Sequence, residues 1–248
     1  MKKSLLLIAY SLLPLTYCLL CVGCGQQKLQ DYYFPLEQLS KNAKVYEYEY
    51  KLKDSTFKMY WSYQSTIQND SLYLIGTCYN QNFDQVMVMR EQRVKNGMKL
   101  TDMYFYTTDA ANAPVRTNVE IEGGAVFPFE AKDSNSVFIN IIKYKDVKDS
   151  TIQTTLTRNR RFLRPTVYDF QNKKVAAVEF EMKEEQAEND PKKGGIAYIS
   201  KVKEIYAQNI GLIYTKRYFS DSEFIESRLL DIYTLSALEE KFKNHPLK

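Results

Sequence analysis

Val45-Tyr-Glu-Tyr-Glu-Tyr-Lys-Leu-Lys53 decides the fold class. Tyr46, Tyr48, Tyr50 and Leu52 alternate with Glu47, Glu49, Lys51 and Lys53, a period of two that places the apolar groups on one side of an extended chain. A helix would scatter the same residues around its circumference. Directly afterwards, Phe57, Met59, Trp61 and Tyr63 alternate with Lys58, Ser62 and Gln64. Two such runs in succession predict half-buried antiparallel strands, each with one dry and one wet face.

The pattern continues outward. Strand-like runs are read at residues 72–79, 83–94, 98–107, 115–121, 126–130, 137–145, 152–158, 167–170, 175–183, 196–206, 212–219 and 224–233. Turn residues separate them, including Asn69-Asp70, Gly123-Gly124, Gln171-Asn172 and Ser220-Asp221. Asn96-Gly97, inside Val94-Lys-Asn-Gly-Met98, marks the clearest hairpin. So many strands exceed a comfortable open sheet. The fold class is therefore mostly β: a curved antiparallel sheet, expected as a half-barrel or open barrel-like form. A short C-terminal helix follows at residues 236–243, where Ser236 and Glu239 make a capping box and Leu235, Leu238 and Phe242 share a face. Residues 34–39 suit another short turn. The charged stretch Lys-Glu-Glu-Gln-Ala-Glu-Asn-Asp-Pro-Lys-Lys-Gly-Gly over residues 183–195 is expected as a mobile hairpin loop; its acids match no calcium-loop spacing.

Composition removes several function classes. There are 34 Lys+Arg against 30 Asp+Glu, and a charge this close to balance argues against a nucleic-acid binder. The single His, His245, lies three residues from the end. That leaves no material for His-based zinc sites or a Ser-His-Asp triad. No Gly-rich phosphate loop, His-Glu-x-x-His or Gly-x-Ser-x-Gly occurs. Acidic residues are too numerous for a catalytic pair to be nominated from the sequence. No catalytic residue, metal site or cofactor is expected, and the chain reads as a non-enzyme.

The N-terminus carries an address. Met1-Lys2-Lys3 is a basic start, and an apolar run follows to Val22, interrupted by Pro14. This is the layout of an export signal rather than a membrane-spanning anchor. The run ends in Cys21-Val22-Gly23-Cys24, which resembles the bacterial lipobox, with a small residue before the cysteine and polar Gln26-Gln27 soon after it. Cys21 stands where Leu is usual. The resemblance implies residues 1–23 as a lipoprotein signal peptide, Cys24 as a lipidated N-terminus, residues 24–31 as a tether and residues 32–248 as a single mostly-β domain. Several acyl chains on one residue hold a soluble domain at a membrane stably, at ~0.8 kcal/mol per buried CH₂. Cys78 is then the one cysteine left over, so no internal disulfide forms and stability must come from apolar burial. In its strand-like run Cys78 reads as a small buried hydrophobe rather than a reactive thiol.

Two further patches look familiar. Asp31-Tyr-Tyr-Phe-Pro-Leu36 followed by Val45-Tyr-Glu-Tyr-Glu-Tyr50 is similar to the opening of exported lipoproteins of Bacteroidota-type bacteria. Glu204-Ile-Tyr-Ala-Gln-Asn-Ile-Gly-Leu-Ile-Tyr214 resembles their recurring Tyr-Ala-x-x-(Val/Ile)-Gly-Leu segment, with Asn209 where Gly is frequent. The resemblance implies a cell-envelope location, lipid-anchored, at the outer membrane. It also implies a curved antiparallel fold like that of periplasmic lipoprotein carriers, and it supplies no catalytic residue.

Two clusters are candidate binding surfaces. Tyr60, Trp61 and Tyr63, with Tyr32 and Tyr33, could stack on a sugar or lipid, although tyrosines are also good strand residues. Arg158, Arg160, Arg161 and Arg164 could bind an anion, with Arg158, Arg160 and Arg164 expected on one strand face around Phe162. A solvated strand or loop is the plainer reading of that segment. The expected function is a membrane-anchored, non-catalytic binding module for an apolar or amphipathic ligand. The alternative is a structural accessory subunit of an envelope complex with no small ligand. Partners would be the membrane, through lipid on Cys24, and a lipid, glycan or envelope protein.

Overall fold

A computed structural model describes residues 27–109, 113–131 and 136–244; the signal segment, Cys24 and His245 lie outside them. The Tyr/Glu alternation becomes a strand, β2 (Lys44–Leu52), preceded by a two-residue β1 (Gln27–Lys28) and a short helix α1 (Leu36–Lys41). There follow β3 (Ser55–Gln68), β4 (Ser71–Tyr79), β5 (Gln85–Val94), β6 (Gly97–Thr108), β7 (Pro114–Asn118), β8 (Glu120–Pro128) and β9 (Glu130–Ala131). The second half comprises β10 (Val137–Lys145), β11 (Gln153–Phe170), β12 (Lys173–Asp190), β13 (Gly194–Ala207), β14 (Gly211–Tyr218) and β15 (Phe224–Tyr233). A C-terminal helix, α2 (Leu235–Asn244), ends the described chain.

The strands close into a barrel, which corrects the expected half-barrel or open form. Twelve strands run in the order β5-β4-β3-β2-β15-β14-β13-β12-β11-β10-β8-β6, and β6 pairs back onto β5. The seam is short on its other side, where β6 meets β8 only from Gly97 to Lys99. Closure removes the two exposed edges that an open sheet would leave. Bulges at Thr101 on β6 and at Glu122 and Val126 on β8 bend the strands at and near this seam. The β5–β6 hairpin exists, with its turn one residue earlier than the sequence suggests: Val94 faces Gly97 across Lys95-Asn96. Gly97 is needed for the seam instead, since a Cβ there would lie 2.2 Å from the Phe127 carbonyl oxygen.

Residues 27–41 plug one end of this barrel. Of the tether expected over 24–31, residues 27–31 are therefore part of the folded body. Gln27 and Lys28 pair with β9, Leu29 N–H donates to the Phe129 carbonyl at 2.8 Å, and Leu29 and Leu39 are fully buried. Phe34 packs at 4.2 Å from the Tyr63 ring and 5.6 Å from Tyr46. Asn209, with a positive φ of 60°, turns its N–H onto the Asp31 carbonyl at 2.7 Å. Each strand of the ring finds both neighbours within residues 27–244, and the same described residues fill its core.

Residues 183–195 are not a loose loop. They continue β12 and begin β13 in unbroken register from Lys183↔Lys201 to Asp190↔Gly194, leaving a turn of three residues. Their charge misleads because it sits on strands: Glu184 turns inward to two arginines, while Lys183 is exposed. The outer wall carries Lys51, Arg161, Glu181 and Lys201, so it faces water rather than hydrocarbon. Among the described residues no helix is long and apolar enough to cross a membrane.

Candidate functional site

The barrel is filled only in part. Beyond the plug, bounded by Tyr33 and Phe34, lies a cavity of about 540 Å³. One wall is apolar and comes from strands whose alternation was legible in the sequence: Tyr50 on β2, Phe57, Met59 and Trp61 on β3, Cys78 on β4, Met87 and Met89 on β5. The other wall is polar: Asn140 on β10, Arg158 and Arg160 on β11, Glu204 on β13, Thr215 and Arg217 on β14, Ser227 on β15.

The polar wall is built from ion pairs. Arg158 Nε lies 2.8 Å from Glu184 Oε2, and Arg217 reaches the other oxygen of the same carboxylate at 3.1 Å. Arg160 meets Glu204 through Nη2 to Oε1 at 3.1 Å and Nε to Oε2 at 2.8 Å, the second contact close but poorly aligned for a hydrogen bond. Thr215 and Ser227 share a hydrogen bond of 2.6 Å beside them. Deeper in, the Tyr33 hydroxyl donates to Glu91. Burial raises the Glu91 carboxyl to about 7, against the opposing pull of the Tyr33 bond and of the Arg160 charge.

The two sequence clusters are each split by the barrel wall. Trp61 and Tyr63 point inward and stack on each other, 5.6 Å apart at 7°. Tyr60, next to Trp61 in sequence, points outward under α2, 4.8 Å from Phe83 and 5.8 Å from Phe242. The three therefore form no single surface, because adjacent strand residues face opposite sides. Arg158 and Arg160 project inward, as does Phe162, but Arg164 does not join them. A bulge at Leu163 shifts the register, so Arg164 lands on the outer face opposite Glu179, 3.2 Å away. Arg161 is also outside, paired with Glu181. The whole segment is strand, part of β11.

Cys78 is 2% exposed, and burial pushes its thiol up to about 12. At ordinary pH it is protonated and poorly nucleophilic, a packing residue of the cavity wall. Among the described residues no three His, Cys, Asp or Glu side chains gather as a metal site.

Sequence reasoning missed Glu91, Glu184, Glu204 and Arg217. The available signal was parity. Met87, Met89 and Glu91 share one face of β5, whereas on β14 a bulge at Ile213 interrupts the alternation and Leu212, Thr215 and Arg217 line the cavity. A charge in phase with apolar residues is a charge that faces the barrel interior.

Comparison with protein families and with curated proteins finds no match to this chain. Solved structures do show the fold. A candidate exported protein with a YmcC-like fold from Bacteroides fragilis superposes at a TM-score of 0.56 and 10% identity, covering 82% of this chain and 99% of that one. A candidate lipoprotein from Parabacteroides distasonis superposes at 0.54 and 13% identity, covering 82% and 98%. At such identity the likeness establishes shared architecture.

Proposed function

We propose that this chain is a lipid-anchored protein of the bacterial cell envelope, at the outer membrane, whose barrel binds an amphipathic ligand without transforming it. The observation that carries the reading is the cavity, about 540 Å³ with one aromatic and methionine-rich wall facing one charged wall. Its volume lies within the ~300–1,000 Å³ typical of small-molecule sites. The wall pairing suits a molecule with a hydrocarbon part and a polar part.

Lipid attachment at Cys24 is supported by the lipobox-like residues and by the fold shared with candidate exported and lipoprotein-type proteins. Gln27 follows Cys24 by three residues, so the lipid would lie within ~10 Å of the plugged end, given ~3.5 Å per extended residue. The barrel would then stand on the membrane by its plug. Radiolabelled palmitate is expected to enter the wild-type chain and not a Cys24→Ser variant; equal labelling of both rejects the anchor.

Native mass spectrometry of the soluble body from Gln27 onward tests the binding function. An amphiphile that co-purifies, or that loads stoichiometrically after delipidation, supports it. A bare chain that loads nothing rejects it.

The accessory-subunit reading is favoured by one observation. The mouth-side end of β13, from Gly194 to Ser200, pairs with β12 alone, since β14 joins only at Lys201↔Tyr218. Ile196, Tyr198 and Ile199 on this free edge are each more than half exposed. Such an edge can accept a strand from another protein. Capture of a stable partner by a body that loads no amphiphile would select this reading.

A further inference from the structure

From the charge distribution inside the barrel we infer that the ligand is an anionic single-chain amphiphile, its carboxylate or phosphate headgroup held by Arg217 and Arg158 and its chain lying along Met59, Trp61 and Met87. This rests on the reading of the barrel as a ligand-binding module and names the class of ligand.

Three guanidinium groups line the cavity, and their carboxylate partners do not balance them. Arg160 has Glu204 to itself. Arg158 and Arg217 divide the single carboxylate of Glu184, so one positive charge in this corner is left over. The remaining acid, Glu91, is engaged by Tyr33 and makes no contact with either arginine. The surplus sits where a ligand could reach it. The Arg158 and Arg217 side chains keep 28% and 36% of their surface open, whereas Glu184 is 7% exposed.

Arg217 also has an unmet bond. Its Nη2 bonds Glu184, while its Nε is buried with no hydrogen-bond partner among the described residues. Arg217 is thus incompletely satisfied by Glu184, and a charge-assisted bond from its open N–H groups to an anion would add the compensation that the single carboxylate does not give. Arginine presents its N–H groups in a planar fork that matches carboxylate and phosphate oxygens, so a headgroup could meet those N–H groups of Arg158 and Arg217 that stay open to the cavity. A cationic headgroup would meet like charge. A neutral one could bond the Thr215 and Ser227 hydroxyls but would leave the surplus charge uncompensated.

Trp61 makes the test direct. It is the only tryptophan in the chain and lines the apolar wall, so its emission reports occupancy of this cavity. The soluble body from Gln27 onward, delipidated, would be titrated below micellar concentrations with dodecanoate, dodecyl phosphate, monododecanoylglycerol and dodecyltrimethylammonium. Saturable Trp61 shifts are expected with one or both anions, at least tenfold tighter than with the neutral glyceride and absent with the cation. Preference between the anions identifies the headgroup as a fatty-acid carboxylate or a phosphate. Arg217→Gln should weaken the anion at least tenfold and leave the glyceride unchanged. Arg158→Gln, assayed in parallel, covers the case in which the first variant does not fold. Equal binding of glyceride and anion, or equal weakening of both by Arg217→Gln, overturns this inference and leaves the binding function standing. No saturable binding by any of the four probes rejects both.

Discussion

The Tyr33 hydroxyl donates to the Glu91 carboxylate across 58 residues of sequence, tying the N-terminal plug to the barrel wall. Both side chains are 3% exposed. An ionised carboxylate is poorly solvated there, and this single bond with the nearby Arg160 charge does not fully compensate. Glu91 therefore holds its proton to about pH 7 in the folded chain, well above its ordinary value of 4.5.

The sign of the pH effect follows. Between pH 4.5 and about 7 the unfolded chain has lost the proton that the folded chain retains, so stability declines as pH rises across this window. The full transit corresponds to roughly 3 kcal/mol, at ~1.4 kcal/mol per pKa unit. Glu91→Gln keeps an oxygen for Tyr33 and does not titrate. Urea midpoints are expected to fall from pH 5 to pH 8 in the wild type and to stay level in the variant. Parallel curves for the two proteins would reject a proton held at Glu91.

Neighbouring arginines should differ sharply. Arg160 is inside the barrel against Glu204, whereas Arg161 is outside with its side chain 50% exposed beside Glu181. Arg160→Ala leaves the Glu204 charge buried without its partner and is expected to lower stability by about 3–5 kcal/mol. Arg161→Ala breaks a solvated pair and should cost under ~1 kcal/mol. Chemical denaturation of both variants at one pH checks the contrast. Similar losses would mean that the β11 alternation is misassigned.

That contrast also shows what the sequence could carry. Alternation at Tyr46, Tyr48 and Tyr50 and at Phe57, Met59 and Trp61 is a local property, and it correctly sorts inside from outside on β2 and β3. The placement of Arg164 is not local. It depends on the Leu163 bulge, which adds one residue to β11 relative to β12 and reverses every later side chain. Closure is less local still. It depends on whether β6 can reach β8, and the contact that permits it joins Gly97 to the Phe127 backbone thirty residues away. The charged interior was hidden by composition: Glu184 lies in a stretch that looks solvated, yet its strand register turns it inward between Arg158 and Arg217.

Gly211 is where the plug meets the β13–β14 turn. Its φ of +101° is unfavourable for other residues, and a Cβ would fall 2.6 Å from Phe34 Cδ1. Gly211→Ala should therefore destabilise by about 2–3 kcal/mol through backbone strain and overpacking together. The two parts can be separated with Phe34→Ala. If the ring carries part of the penalty, the double variant is less destabilised than the two single losses added. Strict additivity would place the whole effect in the backbone.

The terminal helix depends on one buried acid of the outer wall. Glu47 is 1% exposed and receives Lys241 at 2.6 Å, Lys58 at 2.6 Å and the Tyr233 hydroxyl at 2.8 Å. Burial alone would raise its carboxyl, but these three bonds outweigh burial and hold it below its ordinary range. Lys241 lies on α2, so the same carboxylate clamps the helix over Val45 and Tyr60, where Leu238 packs. Glu47→Ala removes the acceptor of all three donors and should cost about 3 kcal/mol, the lower end for breaking a buried charged cluster. Lys241→Met removes only the helix's own donor and should cost less, since that side chain is one-third exposed. Amide exchange distinguishes local from global loss. Protection in α2 should fall further than protection in β12 and β13 in both variants; equal loss in helix and strands would show that Glu47 supports the barrel rather than the helix.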